Sequence, residues 1–117
     1  RMNAFMPATS ANLYRLDTRW TDKPNTLVKI DGAQDLGGWV TAADVSPDGK
    51  TLAVLTNMPV MSVWLFSTSA PGDKFLSKGK GRQIVFRGGQ QCEAICWIDG
   101  KTLMITNEQR EIFRMPL

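Results

Sequence analysis

The most constraining feature of the sequence is a short hairpin pattern that occurs twice. The pentamer Asp-Gly-Lys-Thr-Leu occupies residues 48–52 and returns 51 residues later, at 99–103. Both copies are flanked by short runs of aliphatic and β-branched residues, which are typical of β-strands. Asp-Gly between such runs is a strong hairpin signal, because glycine adopts a positive φ at no steric cost. The chain is therefore predicted to contain two copies of one strand–turn–strand unit.

The repeat extends beyond the hairpin. Residues 13–16 (LYRL), 63–66 (VWLF) and 112–115 (IFRM) are three versions of one strand, and Gly-Gly occurs at both 37–38 and 88–89. Four short strands in a period of about 50 residues are typical of a β-propeller blade. The sequence therefore predicts an all-β fold, a β-propeller segment of about two and a quarter four-stranded antiparallel blades in an incomplete ring.

The predicted blades divide the chain into three segments. Residues 1–38 hold the last two strands of a preceding blade and a loop, residues 39–89 a complete four-stranded blade, and residues 90–117 the first three strands of the next. No stretch has the apolar period of an amphipathic helix, and residues 69–81 are predicted to form a long loop whose basic run at 78–82 is solvated. Because these strands cannot close a ring, we expect the remaining blades to come from the same polypeptide or from other copies.

Composition excludes several classes of function. The chain has 14 basic and 11 acidic residues, a net charge of +3 that is too small and dispersed to favour nucleic acid. No apolar run approaches the roughly 20 residues that span a membrane. Histidine is absent, which excludes histidine-based catalysis and histidine-ligated metals. Cys92 and Cys96 are too far apart along one strand for a disulfide and are predicted to be buried thiols.

These motifs resemble a family. The segments VTAADVSPDGKTLAVLT and QCEAICW with TLMITNE are similar to bacterial WD40-like or TolB-like β-propeller repeats. The narrower likeness is to exported propellers with a Ser-Pro-Asp-Gly-Lys repeat and a later Gln-x-Glu-Ala-Ile repeat, with this chain matching their C-terminal blades. The resemblance covers roughly residues 38–108, although Cys92 stands where the narrower pattern has glycine. It implies a periplasmic, secreted or cell-surface location.

Propeller geometry indicates where a site would lie. The connections from a fourth to a first strand and from a second to a third strand share one face, opposite the Asp-Gly turns. Loops held on a rigid scaffold are where binding residues concentrate. We therefore predict a non-catalytic scaffold that binds a small ligand or a protein partner on this face, with these candidates: Trp39, Thr41, Gln91, Glu93, Asn107 and Glu108.

Glu93 also supports an alternative function. The Glu-Ala-Ile segment is similar to the Glu-Gly-Ile turn of phytase-like and gluconolactonase-like propellers, where that glutamate can bind a metal. This resemblance implies a calcium-dependent hydrolase or lactonase with Glu93 as a metal ligand and Asn107 in the same oxygen-rich shell. A purely structural interpretation is a buried Glu93 carboxylate that accepts hydrogen bonds from the Gly-Gly loop.

Asp44 and three of the tryptophans have specific predictions. Asp44 interrupts an apolar strand, and is expected either to line the central channel or to bond to a neighbouring blade. Trp64 and Trp97 fall within strands and are expected in the core. Trp39 follows Gly-Gly on the candidate face and is the one tryptophan that we keep as a candidate stacking platform for a ligand, with packing against the protein as the alternative.

Overall fold

The computed structural model describes residues 8–33, 35–69 and 72–117, which form β-strands, connections and one helical turn. The turn is α1, Phe75–Lys78. The prediction of an all-β fold is confirmed. The strands in chain order are β1 Ala11–Leu16, β2 Leu27–Ala33, β3 Gly38–Val45, β4 Thr51–Pro59, β5 Ser62–Ser67, β6 Lys80–Val85, β7 Cys92–Asp99, β8 Thr102–Asn107 and β9 Ile112–Pro116.

The strands form three antiparallel sheets, none of which closes on itself within the described residues. The first sheet is β1-β2, the second is β3-β4-β5-β6 and the third is β7-β8-β9, in the order of hydrogen-bonded neighbours. Each strand therefore pairs with the one before or after it in the chain. Residues 1–7, 34, 70 and 71, which fall within the predicted first segment and the predicted 69–81 loop, lie outside the described residues.

The two Asp-Gly turns are stabilised in the same way. The Asp48 carboxylate accepts a hydrogen bond of 3.0 Å from the Lys50 backbone N–H, and Asp99 accepts one of 2.7 Å from the Lys101 N–H. The Ser46 hydroxyl bond lowers the pKa of Asp48, and the Lys101 amide bond lowers the pKa of Asp99. Both aspartates are therefore turn-forming residues, as the hairpin pattern predicts.

The second sheet is covered on both faces. Successive side chains of β4 point to opposite faces of the sheet, and each face packs against a different neighbouring sheet. Ala53 and Leu55 belong to a core cluster shared with the third sheet, which includes Leu103 of β8. Leu52 and Val54 belong to a second cluster shared with the first sheet and α1. All four β4 side chains are at most 4% exposed, so the second sheet is the centre of the molecule.

Among the described residues, only one face of the third sheet is covered by another sheet. Ile95 and Ile105 face the second sheet, whereas Ile112 is 67% exposed. The prediction that both cysteines are buried is wrong for Cys96, which is exposed, and right for Cys92. The reason is a β-bulge between Cys92 and Ala94, which reverses the alternation of β7 so that later even-numbered residues point outward.

The predicted long loop contains more structure than expected. Helix α1 packs Phe75 into the core beside the first sheet, and the Asp31 carboxylate of β2 accepts 2.8 and 3.1 Å bonds from the Leu76 and Ser77 amides. Burial raises the pKa of Asp31, but hydrogen bonds from the Ser77 hydroxyl and from the Ser77, Gly32 and Leu76 amides outweigh burial and leave the pKa lowered. Strand β6 then begins at Lys80, so the basic run lies largely on a strand rather than in a solvated loop.

Candidate functional site

The first strands of the second and third sheets lie side by side. The Thr41 hydroxyl of β3 donates a 2.8 Å hydrogen bond to the Cys92 carbonyl oxygen of β7. Three residues further along β3, the Asp44 carboxylate accepts a 2.8 Å bond from the Trp97 N–H, and the Trp97 indole donates to the Asp44 carbonyl at 3.1 Å. Contacts therefore advance along both strands together, so β3 and β7 run in the same direction.

This arrangement gathers four connections at one end of the sheets, which we call the candidate end. They are residues 35–37, 60–61, 86–91 and 108–111, and they lie there because Gly38 pairs with Pro59 and Cys92 pairs with Asn107. The Asp-Gly turns lie at the opposite end, here called the turn end. All six predicted site residues stand within or next to the candidate end, although whether they bind anything remains a prediction.

Thr41 and Glu93 occupy matching positions on β3 and β7, the first strands of the second and third sheets. Each is the extra residue of a β-bulge, Thr41 between the pairs formed by Val40 and Ala42, and Glu93 between those formed by Cys92 and Ala94. A bulge turns the affected side chain out of the regular alternation. The Glu93 side chain is exposed, so its interpretation as a buried carboxylate held by the Gly-Gly loop is wrong.

Asn107 is buried, and its side chain forms hydrogen bonds to a residue of its own hairpin. Its amide nitrogen donates to the Glu111 carboxylate at 3.0 Å, and its amide oxygen accepts from the Glu111 N–H at 2.9 Å. These two bonds fix the β8–β9 turn and occupy both ends of the amide. Asn107 and Glu93 are neighbours in register, since Asn107 pairs with Cys92, but the Asn107 amide oxygen already accepts a hydrogen bond from the Glu111 N–H.

Gln91 links the 86–91 and 108–111 connections at the candidate end. Its side-chain oxygen accepts a 2.6 Å bond from Gln109, and its carbonyl oxygen accepts a 3.2 Å bond from the Glu108 N–H. Gln91 has a φ of 48°, in the left-handed region that non-glycine residues seldom adopt. The Glu108 side chain is exposed beside it. The predicted residues Gln91 and Glu108 are therefore brought together, on a turn held by backbone and side-chain bonds.

Trp39 and a nearby cleft complete the candidate end. Trp39 is 44% exposed, and it follows Gly38, where an added Cβ would overlap the Asn57 carbonyl oxygen. A cleft of about 480 Å³ opens between the 59–61 turn and the 85–90 connection. Sequence reasoning missed this cleft, because its walls come from segments about 25 residues apart whose approach depends on β5–β6 pairing. Its lining residues are Pro59, Val60, Met61, Val85, Phe86, Arg87, Gly88, Gly89 and Gln90.

The tryptophans assigned to the core are held by polar as well as apolar contacts. Trp64 stacks on Phe66 at a centroid distance of 5.6 Å and donates its indole N–H to the Leu36 carbonyl at 2.8 Å. Trp97 packs against the cluster between the second and third sheets. Asp44, through its bonds to Trp97, links two sheets, which agrees with the predicted bond to a neighbouring structural unit.

The candidate metal site at Glu93 is not part of a cluster of three ligand side chains within the described residues. Across residues 8–33, 35–69 and 72–117, no three histidine, cysteine or acidic side chains are grouped closely enough to hold a metal ion. Calcium prefers several oxygen ligands, and Glu93 with the engaged Asn107 amide supplies few of them. Burial raises the pKa of the adjacent Cys92 thiol, and the Glu93 and Glu111 charges raise it further. Glu93 as a calcium ligand therefore stays a prediction.

The comparisons with known proteins add no relative. No family model, no curated protein and no solved structure matches this chain. In addition, the described residues include no helix of the length and apolarity that crossing a membrane requires. The assignment of function therefore depends on the geometry above and on the resemblance of the motifs.

Proposed function

We propose that the three sheets are successive blades of a β-propeller and that the protein is a non-catalytic binding scaffold of an exported bacterial protein. Two features of the molecule support the propeller. The inner strands β3 and β7 run side by side in one direction, and their Thr41–Cys92 bond joins residues 51 apart, the period of the hairpin repeat. Further blades, from the same polypeptide or other copies, would continue this order around an axis.

The proposed binding surface is the candidate end. The single observation that carries the proposal is that its connections are tied to each other while polar and aromatic side chains stay exposed. The Val60 N–H donates a 3.1 Å hydrogen bond to the Gly37 carbonyl oxygen, and the Glu108 N–H donates a 3.2 Å bond to the Gln91 carbonyl oxygen. Connections fixed in this way hold a surface ready for a ligand, which reduces the ordering cost of binding.

The exposed groups indicate the chemistry of the ligand. Glu93 and Glu108 are carboxylates, which accept hydrogen bonds from hydroxyl or ammonium groups. Trp39 presents an aromatic surface of the kind that stacks on sugar rings or attracts cations. The surface therefore suits a donor-rich ligand, such as an oligosaccharide or a basic peptide segment of a protein partner.

An NMR titration of the ¹⁵N-labelled chain tests this proposal with two defined probes, cellohexaose and a hexalysine peptide. We expect at least one probe to bind saturably and to shift the amide resonances of residues 39–41, 90–93 and 107–111. Glu93→Gln and Trp39→Ala should weaken that binding about tenfold, the loss of one good contact. Lys50→Ala, at the turn end, is the matched control and should not change it.

Three results would overturn the proposal. The first is the absence of saturable binding with both probes. The second is a set of shifts confined to the turn end, and the third is an affinity that neither the Glu93 nor the Trp39 substitution changes. Addition of Ca²⁺ alone to the same sample also tests the hydrolase alternative, which requires saturable shifts around Glu93 that Glu93→Gln abolishes.

A further inference from the structure

The cleft between the 59–61 turn and the 86–91 connection has an apolar wall, formed by Met61, Val85 and Phe86. Met61 and Phe86 also pack against the core that the second and third sheets share, and this packing holds the wall in place. Val85 is 59% exposed beside them, so an apolar ligand would remove part of its surface from water. The volume of the cleft, about 480 Å³, suits a small organic molecule.

Arg87 is the one charged residue among the described residues that line this cleft. Its guanidinium forms no ion pair in the described part of the chain, where both ion pairs belong to Arg15, and it forms no hydrogen bond there. A guanidinium can donate two parallel hydrogen bonds to one carboxylate. An unpaired cation beside an apolar wall therefore favours an anionic ligand with an apolar body.

The backbone of the same connection offers further donors. The Phe86 N–H donates a 3.2 Å hydrogen bond to the Met61 carbonyl oxygen, but the next four N–H groups, of residues 87–90, donate none within the described residues. Gly88 has a φ of 93°, which turns the chain, and Gly89 is buried, where an amide without an acceptor is costly. Successive amides in such a turn can converge on one anion.

We propose that this cleft binds a small carboxylate with an aliphatic chain. The carboxylate accepts hydrogen bonds from the Arg87 guanidinium and from the amides of residues 87–90, and the aliphatic chain lies against the apolar wall. An inorganic anion fits less well, because it would leave the apolar wall exposed to water. The site does not rest on the proposed function, since none of the six candidate residues at the candidate end lines the cleft.

An NMR titration of the ¹⁵N-labelled chain with sodium octanoate, below the concentration that forms micelles, tests the inference. We expect saturable shifts of the amide resonances of residues 61 and 85–90, with the amide protons of 87–90 moving downfield as they gain an acceptor. Octanol has the same chain without the charge and should bind at least about tenfold more weakly. Acetate keeps the charge without the chain and should also bind at least about tenfold more weakly, because each buried methylene adds affinity.

Three variants separate the contributions of the charge and the wall. Arg87→Gln should weaken octanoate binding about tenfold, the loss of one charge-assisted contact. Arg82→Gln, on β6 but outside the lining of the cleft, is the matched control and should change the affinity by less than about threefold, because salt screens exposed charges outside the site. Val85→Ser should weaken the binding of octanoate and leave that of acetate unchanged. The amide spectrum of each variant shows whether it is folded.

Four results would overturn the inference. The first is the absence of saturable octanoate binding, and the second is binding of octanol or acetate as tight as that of octanoate. The third is an affinity that Arg87→Gln leaves unchanged or that Arg82→Gln lowers equally. The fourth is a set of shifts confined to residues 39–41 and 107–111, which would place octanoate outside the cleft. A negative result with cellohexaose and hexalysine would overturn the proposed function alone.

Discussion

The first three strands of the second sheet pair in the same order as the three strands of the third sheet, but the two sheets have different surroundings. In the second sheet, Leu55 and Leu65 pack against the third sheet and are at most 6% exposed. The positions that match them by register in the third sheet hold Thr106 and Arg114, on the face that no other described sheet covers. Replacement of leucine by threonine and arginine suits contact with water. The comparison teaches that the repeat keeps its backbone pairing while its side chains adapt to the neighbour.

The largest expected effect comes from the same substitution on the two faces of the third sheet. Ile105 is 1% exposed and Ile112 is 67% exposed, yet both are isoleucines on adjacent strands. Ile105→Ala should lower the free energy of unfolding by about 2–5 kcal/mol, because it leaves a cavity in the core. Ile112→Ala should change it by no more than about 0.5 kcal/mol, as for most surface substitutions.

Urea denaturation followed by circular dichroism measures both changes. Equal losses in the two variants would show that the face carrying Ile112 is covered in solution, for example by another copy. In that case the contrast between the sheets would be a property of the isolated chain. The wild-type midpoint measured over a range of protein concentrations is the control, since self-association makes it concentration-dependent.

Most of the strands could be predicted from the sequence, because local chemistry determines them. Asp-Gly turns and short β-branched runs predicted the hairpins β3–β4 and β7–β8, which the structure forms around the two Asp-Gly pairs. The contents of the 69–81 loop could not be predicted in the same way. Helix α1 depends on the Asp31 carboxylate, which comes from more than 40 residues earlier in the chain. No local pattern carries that contact.

The candidate site shows a similar limit. The sequence indicated which connections meet at one end, because strand order follows from the repeat. It did not indicate the side-chain environments, because one extra residue reverses the alternation of a strand. The bulge at Glu93 exposes Cys96, and the partner of Asn107 is Glu111 of its own hairpin rather than a ligand. Sequence periodicity alone cannot locate such a bulge.

The two thiols test the bulge directly. Cys96 is exposed on the open face, whereas Cys92 is fully buried and burial raises its pKa. Because the thiolate is the reactive form, Cys96 should react with Ellman's reagent at pH 8 about 100-fold faster than Cys92, as expected if Cys92 needs a local opening of about 2.7 kcal/mol.

The Cys96→Ser variant provides the control, since it should retain only the slow phase of the thiol reaction. Two fast thiols in the wild type would mean that the strand end carrying Cys92 is open in solution. A slow phase that persists in Cys92→Ser would mean that β7 has the opposite alternation. Either result would remove the contrast between the covered and the open face of the third sheet.

The smallest of the expected effects concerns the contact that joins the two sheets. The Asp44 carboxylate accepts a 2.8 Å bond from the Trp97 N–H, and Asp44→Ala leaves that half-buried donor without its partner. We expect a loss of about 1–3 kcal/mol in the free energy of unfolding by urea denaturation. Asp44→Asn keeps an acceptor oxygen and should recover most of it, and Asp22→Ala, at an exposed loop position, is the matched control.

These variants distinguish the contribution of the Asp44–Trp97 hydrogen bond from that of the Asp44 negative charge. If the asparagine variant is as unstable as the alanine variant, the negative charge matters more than the bond to Trp97. If neither variant differs from the Asp22 control, β3 and β7 do not depend on this contact. The register-matched position in the third sheet holds Cys96, which has no carboxylate to offer a next strand. A measured loss of stability in Asp44→Ala would therefore mean that any sheet packed against the other side of β7 is held by a contact different from the Asp44–Trp97 bond.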